Sequence, residues 1–254
     1  MHDVVGGMRR RRSRATASFV AVVCSVGCLA GVGASLAADR PGDLANLWVD
    51  PNGGSCTRLA SPGAYVDAQA CGSADTAYAA AANGDTILVR EGTYGRQVIR
   101  GGTKSVVIRN ASGASPVFGT TRVDASNLTI SGIDVERNDD PGPYVATLEV
   151  NGANNTFDGV DVNSKFMSSA ENGRQGINNA GDRNLYRNGS TFNVVDDKGA
   201  LIGGTGVTFD NFAFHDVRVS NPLVHNECAF SLAPSLTIRN SHFWNCATLR
   251  WCSA

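Results

Sequence analysis

Residues 236–245 read LTIRNSHFWN: apolar and polar residues alternate, two polar residues interrupt, and the alternation resumes. The same phrase occurs as VTFDNFAFHD (207–216), NTFDGVDVNS (155–164) and LTISGIDVER (128–137). Recurrence on this scale marks a repeat architecture. The last apolar residue before each interruption is Ile87, Ile108, Ile130, Phe157, Tyr186, Phe209 and Ile238, at intervals of 21, 22, 27, 29, 23 and 29 residues. Two positions further on stand Asn110, Gly132, Gly159, Asn188, Asn211 and Asn240. Gly and Asn accept the left-handed backbone conformation at least cost, so each repeat is expected to bend sharply at this place.

Repeats of equal direction with one fixed corner stack as parallel coils, each pairing its strands with the coils above and below. The corner Asn side chains then form a ladder. Alternation puts Val135, Val162, Phe214 and Phe243 inside and Asp134, Asp158, Asp161, Asp210 and Arg239 outside. A third strand per coil is expected at ATLEV (146–150), QGIN (175–178), GALI (199–202) and ECAFSL (227–232). The long connections, 137–145, 163–174, 193–199 and 216–226, fall on one edge, which in solenoids is often the working one. Residues 74–82, ADTAYAAAA, are the strongly helix-prone run, ended by Asn83-Gly84, and a short helix there would cover the open end of the first coil.

Charge and cysteine usage add a compartment. Arg9, Arg10, Arg11, Arg12 and Arg14 precede an uncharged run over 15–38, and Ser35, Ala37 and Ala38 offer a cleavage site, the pattern of a secretory signal peptide. The alternatives are a membrane anchor, against which the Gly-rich run and cleavage motif argue, and a lipoprotein modified at Cys28, which lacks the usual Leu three residues earlier. Residues 1–38 hold five of the 22 basic and one of the 23 acidic side chains, which leaves 17 and 22, a net charge of −5. Such a surface does not attract nucleic acid. The expected product is a secreted or cell-surface monomer with no membrane span after cleavage.

Cys24 and Cys28 lie in the leader, leaving Cys56, Cys71, Cys228, Cys246 and Cys252. Export permits disulfides. Cys56 and Cys71 flank a Gly/Pro/Ser-rich loop and are the first expected pair; Cys228 and Cys246 are the next, with Cys252 left over. No spacing resembles a zinc site. The organisation read from the chain is a signal peptide (1–38), an N-terminal segment (39–73) and a solenoid (74–254).

At this point the chain resembles the right-handed parallel β-helix, or pectin-lyase-like, superfamily. NGDTILVREGTY (83–94) after the helix resembles its first coil, and LTIRNSHF its coil consensus. LWVDPNGGSC (47–56), PGAYVDAQACGS (62–73) and VHNECAF (224–230) resemble secreted, uncharacterised members. The resemblance spans 47–246 and implies an all-β solenoid of about seven coils with an N-terminal capping helix. It implies a polysaccharide or surface glycan as partner, because the superfamily holds polysaccharide lyases, glycoside hydrolases, esterases and epimerases; it also holds tailspikes and adhesins, so a non-catalytic binding or structural module is the alternative. Members usually continue into further coils and a C-terminal cap, so a chain ending at Ala254 is expected to be a truncated form.

Four groups of side chains are candidates for chemistry. With Cys228, Phe230 and Leu232 expected to face the core, His225 and Glu227 are expected side by side on the outer face of the strand 227–232, together with Ala229 and Ser231, and with Glu149 extending the row, a set able to do general acid–base work on a sugar. The plainer role is polar groups on a solvated strand. Asp196-Asp197 and Asp139-Asp140 match the paired carboxylates of inverting hydrolysis, although the polygalacturonase motifs Gly-His-Gly and Arg-Ile-Lys are absent and Asp pairs are common in turns. Lys165, Arg174 and Arg183 lie on one long insertion and are the candidate bases of a lyase, although the pectate-lyase pattern Arg-x-Pro-x-x-Arg is missing. Asp134 and Asp161 should stack in adjacent coils and can hold a cation, for which Ca²⁺ is the candidate; no other cofactor is implied. Trp244, between His242 and the chain's end, has outward parity; an exposed ring there can stack on a sugar, and burial under a missing C-terminal region is the alternative.

Overall fold

The computed structural model describes residues 42–138, 146–166, 175–219 and 226–246. The expected leader, and Asp139, Asp140, Arg174, His225, Trp251 and Cys252, lie outside the described residues. Three sheets run along a solenoid. The first holds Leu47–Val49, Thr86–Val89, Val106–Asn110, Leu128–Ser131, Thr156–Asp158, Leu185–Arg187, Thr208–Asp210 and Thr237–Arg239. The second holds Val117–Phe118, Asp134–Glu136, Asp161–Asn163, Ser190–Val195, Ala213–Arg218 and His242–Cys246. The third holds Gln97–Ile99, Thr121–Val123, Leu148–Val150, Ile177–Asn179, Ala200–Ile202 and Ala229–Ser231. The chain visits them in that order and returns to the first sheet one strand further along, so neighbouring strands pair in parallel. Five turns carry a strand on all three sheets. The expected count of about seven included the incomplete turns at either end, one of which replaces its second-sheet strand by a single bridge, Thr93 to Val117.

The anchors of the repeat line up in register along the inside of the first sheet, from Ile87 through Ile108, Ile130, Phe157, Tyr186 and Phe209 to Ile238. Equal positions in successive coils lie one strand spacing apart, so aromatic rings there stack face to face: Phe157 on Tyr186 at 4.8 Å and Tyr186 on Phe209 at 4.7 Å. The helix Ala74–Ala80 buries Ala74, Ala77 and Tyr78. Ser73 caps its first turn by accepting the Thr76 N–H at 3.1 Å. Lys104 Nζ donates to the carbonyls of Tyr78, Ala79 and Ala81 at its other end, where cation and helix dipole agree.

Gly132, Gly159, Asn188, Asn211 and Asn240 take φ between +50° and +63°. Asn110 does not. It closes the strand Val106–Asn110 and donates to the Ala114 carbonyl, and the left-handed residue of that longer turn is Gly113. The corner amides bond from coil to coil: Asn211 to Asn188 at 2.9 Å, Asn188 to Asp158 at 2.7 Å and Asn240 to Asp210 at 2.9 Å. Two further left-handed series occur. One precedes the first sheet, at Asn127, Asn154, Arg183, Gly206 and Ser235, and the other lies inside second-sheet strands, at Asn193, Asp216 and Asn245. Between the third and first sheets, buried Asn155 and Asn184 form an internal ladder, each accepting a backbone N–H of the preceding coil, from Leu128 at 2.9 Å and from Asn155 at 2.8 Å. Beside them Gly152 and Gly181 stack so closely that a Cβ on Gly181 would overlap the Gly152 carbonyl oxygen.

Disulfides staple both ends of the described solenoid. Cys56–Cys71 ties the N-terminal segment beside the first strand, and Cys228–Cys246 ties the last two turns.

Candidate functional site

The outer face of the first sheet is a ladder of alternating charge. Arg187 pairs with Asp158 at 2.8 Å and Arg239 with Asp210 at 2.9 Å. These carboxylates also receive the corner amides. Burial pushes Asp158 up, but the Asn188 and Arg187 hydrogen bonds outweigh it and leave the carboxyl below its ordinary range. This face is committed to holding the corners.

On the third sheet Arg122 Nε donates to Asp124 at 2.8 Å and lies 3.9 Å from Glu149. Asn151 donates to both carboxylates, at 2.8 Å and 3.2 Å. Glu149 thus belongs to a local network. It does not share a row with Glu227. Its own register runs through Asn178 and Leu201 to Phe230, and it stands three coils from the Glu227 turn, about 14 Å at a strand spacing of about 4.8 Å. A carboxylate pair acting on one glycosidic bond spans at most about 9.5 Å.

The strand around Glu227 corrects a second expectation. Ala229 and Ser231 stack on the inward Ala200 and Ile202, and Phe230 shares the outward side of Leu201. Alternation fails because the chain turns a corner there, which puts two consecutive core-facing residues, Cys228 and Ala229, side by side. Glu227 lies before that corner, 4.0 Å from Lys198 Nζ, which is 3.2 Å from Asp197. Asp197 accepts the Lys198 N–H at 2.8 Å, and Asp196 is left-handed and buried. The Asp196-Asp197 pair therefore builds the turn between the second and third sheets. Arg183 is separated from Lys165 by the whole third-sheet strand Ile177–Asn179. It sits at the opposite corner, donating to Asn154 at 2.8 Å.

The outer face of the second sheet gathers the most varied chemistry. Asp134 and Asp161 occupy equivalent positions of neighbouring coils, and Asp161 accepts the Ser190 hydroxyl at 2.6 Å. Burial first, then the charges of Asp161 and Glu136, raise the Asp134 carboxyl above its ordinary range. A raised carboxyl ionises more easily in the unfolded chain, so the stability it contributes is present at low pH and is lost as pH rises through its folded value. Asp134→Asn should therefore stabilise the fold at pH 7 by a few tenths to about 1 kcal/mol, the scale of a like-charge pair across strands. The gain should vanish at pH 3, which urea denaturation at the two pH values would read. Among the described residues no group of three metal-ligating side chains occurs, so Asp134 and Asp161 supply only part of a Ca²⁺ shell.

Further along this face Glu136 pairs with Lys165, and the register continues through Asn163, Phe192 and His215 to Trp244. His215 is stacked between two rings, Phe192 at 4.9 Å and Trp244 at 4.2 Å. The left-handed residue Asp216 kinks its strand, as Asn193 and Asn245 kink the strands beside it, so His215 and Asp216, consecutive in sequence, both stand on the outer side. Asp216 Oδ2 meets His215 Nδ1 at 2.7 Å, and Asp216 Oδ1 accepts Asn245 Nδ2 at 3.0 Å. These two bonds hold the Asp216 carboxyl below its ordinary range. Arg218, on the same strand, lies over the Phe166 ring at 3.8 Å. Outward parity points to Trp244 from the sequence, and the structure leaves it 44% exposed; His215 and Asp216 escape alternation because only the left-handed kink puts consecutive residues on one side.

No family model matches the sequence, and no curated protein matches it. Among solved structures, a rhamnogalacturonan lyase superposes with a TM-score of 0.52 at 12% identity, over 78% of this chain and 68% of that one. A pectate lyase superposes at 0.45 and 18% identity, over 77% and 62% of the respective chains. A pectin methylesterase in complex with a hexasaccharide superposes at 0.39 and 12% identity, over 79% and 80%. The likeness to the first is one of fold: both are parallel β-solenoids.

Proposed function

We propose that this chain is a secreted β-helix protein that acts on a polysaccharide, as a lyase or a glycoside hydrolase, with the polymer laid across the coils on the outer face of the second sheet. The observation that carries this reading is the composition of that face. Carboxylates (Asp134, Glu136, Asp161), a lysine paired with Glu136 (Lys165), a histidine–aspartate pair and aromatic rings gather there, with Glu136, Asn163, Phe192, His215 and Trp244 in register one coil apart. A regular row with charged, hydrogen-bonding and aromatic groups suits a regular polymer. The two disulfides support export into an oxidising compartment. Ca²⁺ would take Asp134 and Asp161 and complete its oxygen shell from substrate and water. No helix among the described residues is long and apolar enough to cross a membrane.

A non-catalytic glycan-binding module is the second reading. It is favoured by one observation, that Glu136 and Glu149 are already held by neighbouring cations or amides. The two part on a panel of plant, algal and bacterial polysaccharides, scored for unsaturated-uronate absorbance and reducing ends with and without Ca²⁺. Turnover of either kind is expected. A folded chain that binds a glycan without turnover would leave the binding module, and one that neither binds nor cleaves would end the polysaccharide reading.

A further inference from the structure

We propose that His215 and Asp216 form the proton-abstracting dyad of this site, with His215 Nε2 as the base of a β-elimination. The inference rests on the polysaccharide reading above and names the residue that does its chemistry. Three features of the structure converge on it.

The first is the tautomer. Asp216 Oδ2 lies 2.7 Å from His215 Nδ1. A carboxylate there fixes the proton on Nδ1 and leaves a lone pair on Nε2, the arrangement that makes a neutral imidazole a base and then stabilises the imidazolium it becomes. Among the described residues Nε2 has no hydrogen-bond partner, and it lies at the end of the ring remote from the backbone. The side chain is 17% exposed.

The second is rigidity. Phe192 and Trp244 hold the imidazole from both faces with interplanar angles of 9° and 8°. A ring so clamped is held in one orientation rather than sampling rotamers, which is what a pre-organised catalytic group requires. The equivalent pairs in the neighbouring coils are Phe192-Asn193 and Trp244-Asn245. They have an aromatic ring, a left-handed residue after it and no titratable group. One coil of the three carries a base and its orienting acid.

The third is the company the dyad keeps. Its strand contributes Asp216 and Arg218. The strands on either side turn Phe192, Asn193, Trp244 and Asn245 toward it, and His242 shares the face two residues before Trp244. Among the described residues no second carboxyl, of the kind a glycosidase needs, is paired with the His215 ring. Arg218, close enough to help lower Asp216, offers a guanidinium for a substrate carboxylate. A single base with an adjacent cation suits elimination from a uronate. Nε2 takes the proton from the carbon beside the sugar carboxyl, and the electron pair forms the new C=C. The C–O bond to the next sugar breaks, and the imidazolium returns the proton to that oxygen. No co-reactant is consumed.

The test uses variants of the full chain. His215→Phe places in this coil the ring its neighbour already carries at Phe192, so the stack and the fold should survive. Turnover read as unsaturated-uronate absorbance should fall on the order of 10²–10⁴-fold, with glycan binding unchanged. Asp216→Asn should keep the fold, lower turnover and displace the acidic limb of the pH–rate profile, which a merely structural Asp216 would not do. Nitrogen-15 NMR of labelled His215 should show the Nδ1–H tautomer in the parent. Retention of turnover within threefold in His215→Phe would overturn the dyad and leave the polysaccharide reading standing. So would an Nε2–H tautomer, or cleavage that yields reducing ends without unsaturation. A folded parent that binds glycan but cleaves nothing overturns the dyad and favours the binding module. A parent that does neither overturns both.

Discussion

Tyr186→Ala is expected to destabilise the fold by about 3–5 kcal/mol, the range for emptying a buried aromatic site. Tyr186 is fully buried at the middle of the solenoid. Its ring is stacked between Phe157 and Phe209 and touched edge-on by Phe212. Its hydroxyl donates to Asn179 Oδ1 at 2.8 Å, and Asn179 in turn holds the Gly181 carbonyl and accepts from Asn184, a member of the internal amide ladder. Alanine would open a cavity between two rings that strand pairing keeps in place, so the walls cannot collapse to fill it. Tyr186→Phe separates the ring from the hydroxyl. Asn179 Oδ1 keeps its bond from Asn184, so that loss should stay near about 1 kcal/mol. Because each coil contacts only its neighbours, the alanine variant should also unfold less cooperatively, with a lower urea m-value. A loss below about 1.5 kcal/mol would mean that the aromatic column is not a stability centre.

The parts of this fold that repeat in register were legible in the sequence, and the parts that break register were not. Ile87 to Ile238 gave the inner column of the first sheet because burial on one face fixes parity over many coils. The Gly and Asn residues two positions on gave the corner because few residues accept φ > 0. Asn110 failed because it obeys the spacing but closes a strand before a longer turn. The second left-handed series was within reach: Asn193, Asp216 and Asn245 each follow a corner Asn by five residues. That offset carries the signal for the kink, and the kink is what puts His215 and Asp216 on one side. Phe230 was misjudged because alternation was carried across a corner where Cys228 and Ala229 both face the core. The expected row of Glu149 and Glu227 needed the register of the third sheet, which only the pairing of Leu148 with Ile177, and onward to Ala229, supplies.

Removing the second disulfide, by Cys228→Ser with Cys246→Ser or by reduction, should cost about 3 kcal/mol, as expected for a closed loop of this size. The loss should be local. In a quasi-one-dimensional solenoid each turn leans on its neighbours, and the last described turn pairs with described strands on one side only; its apolar residues are poorly covered, with Ile238 36% exposed, Phe243 49% and Trp244 44%, whereas Phe209 and Phe214 one turn earlier are fully buried. Cys246 ends the strand that carries Trp244, and the bond ties that strand to Cys228 in the preceding turn. Without it the strands 237–239 and 242–246 should open before the rest, and amide exchange there should accelerate while exchange around Ile108 and Ile130 holds. Trp48, buried at the other end, gives an internal reference, since its environment should not change. The consequence reaches the site, because Trp244 is one of the two rings that clamp His215. Turnover should therefore fall at temperatures where the first coils are still native. The same experiment on Cys56 and Cys71 should loosen the N-terminal segment and leave Trp244 and turnover alone. Equal global unfolding from either pair would show that the coils melt as one unit, and that the staple stabilises the whole chain rather than the end that holds the site.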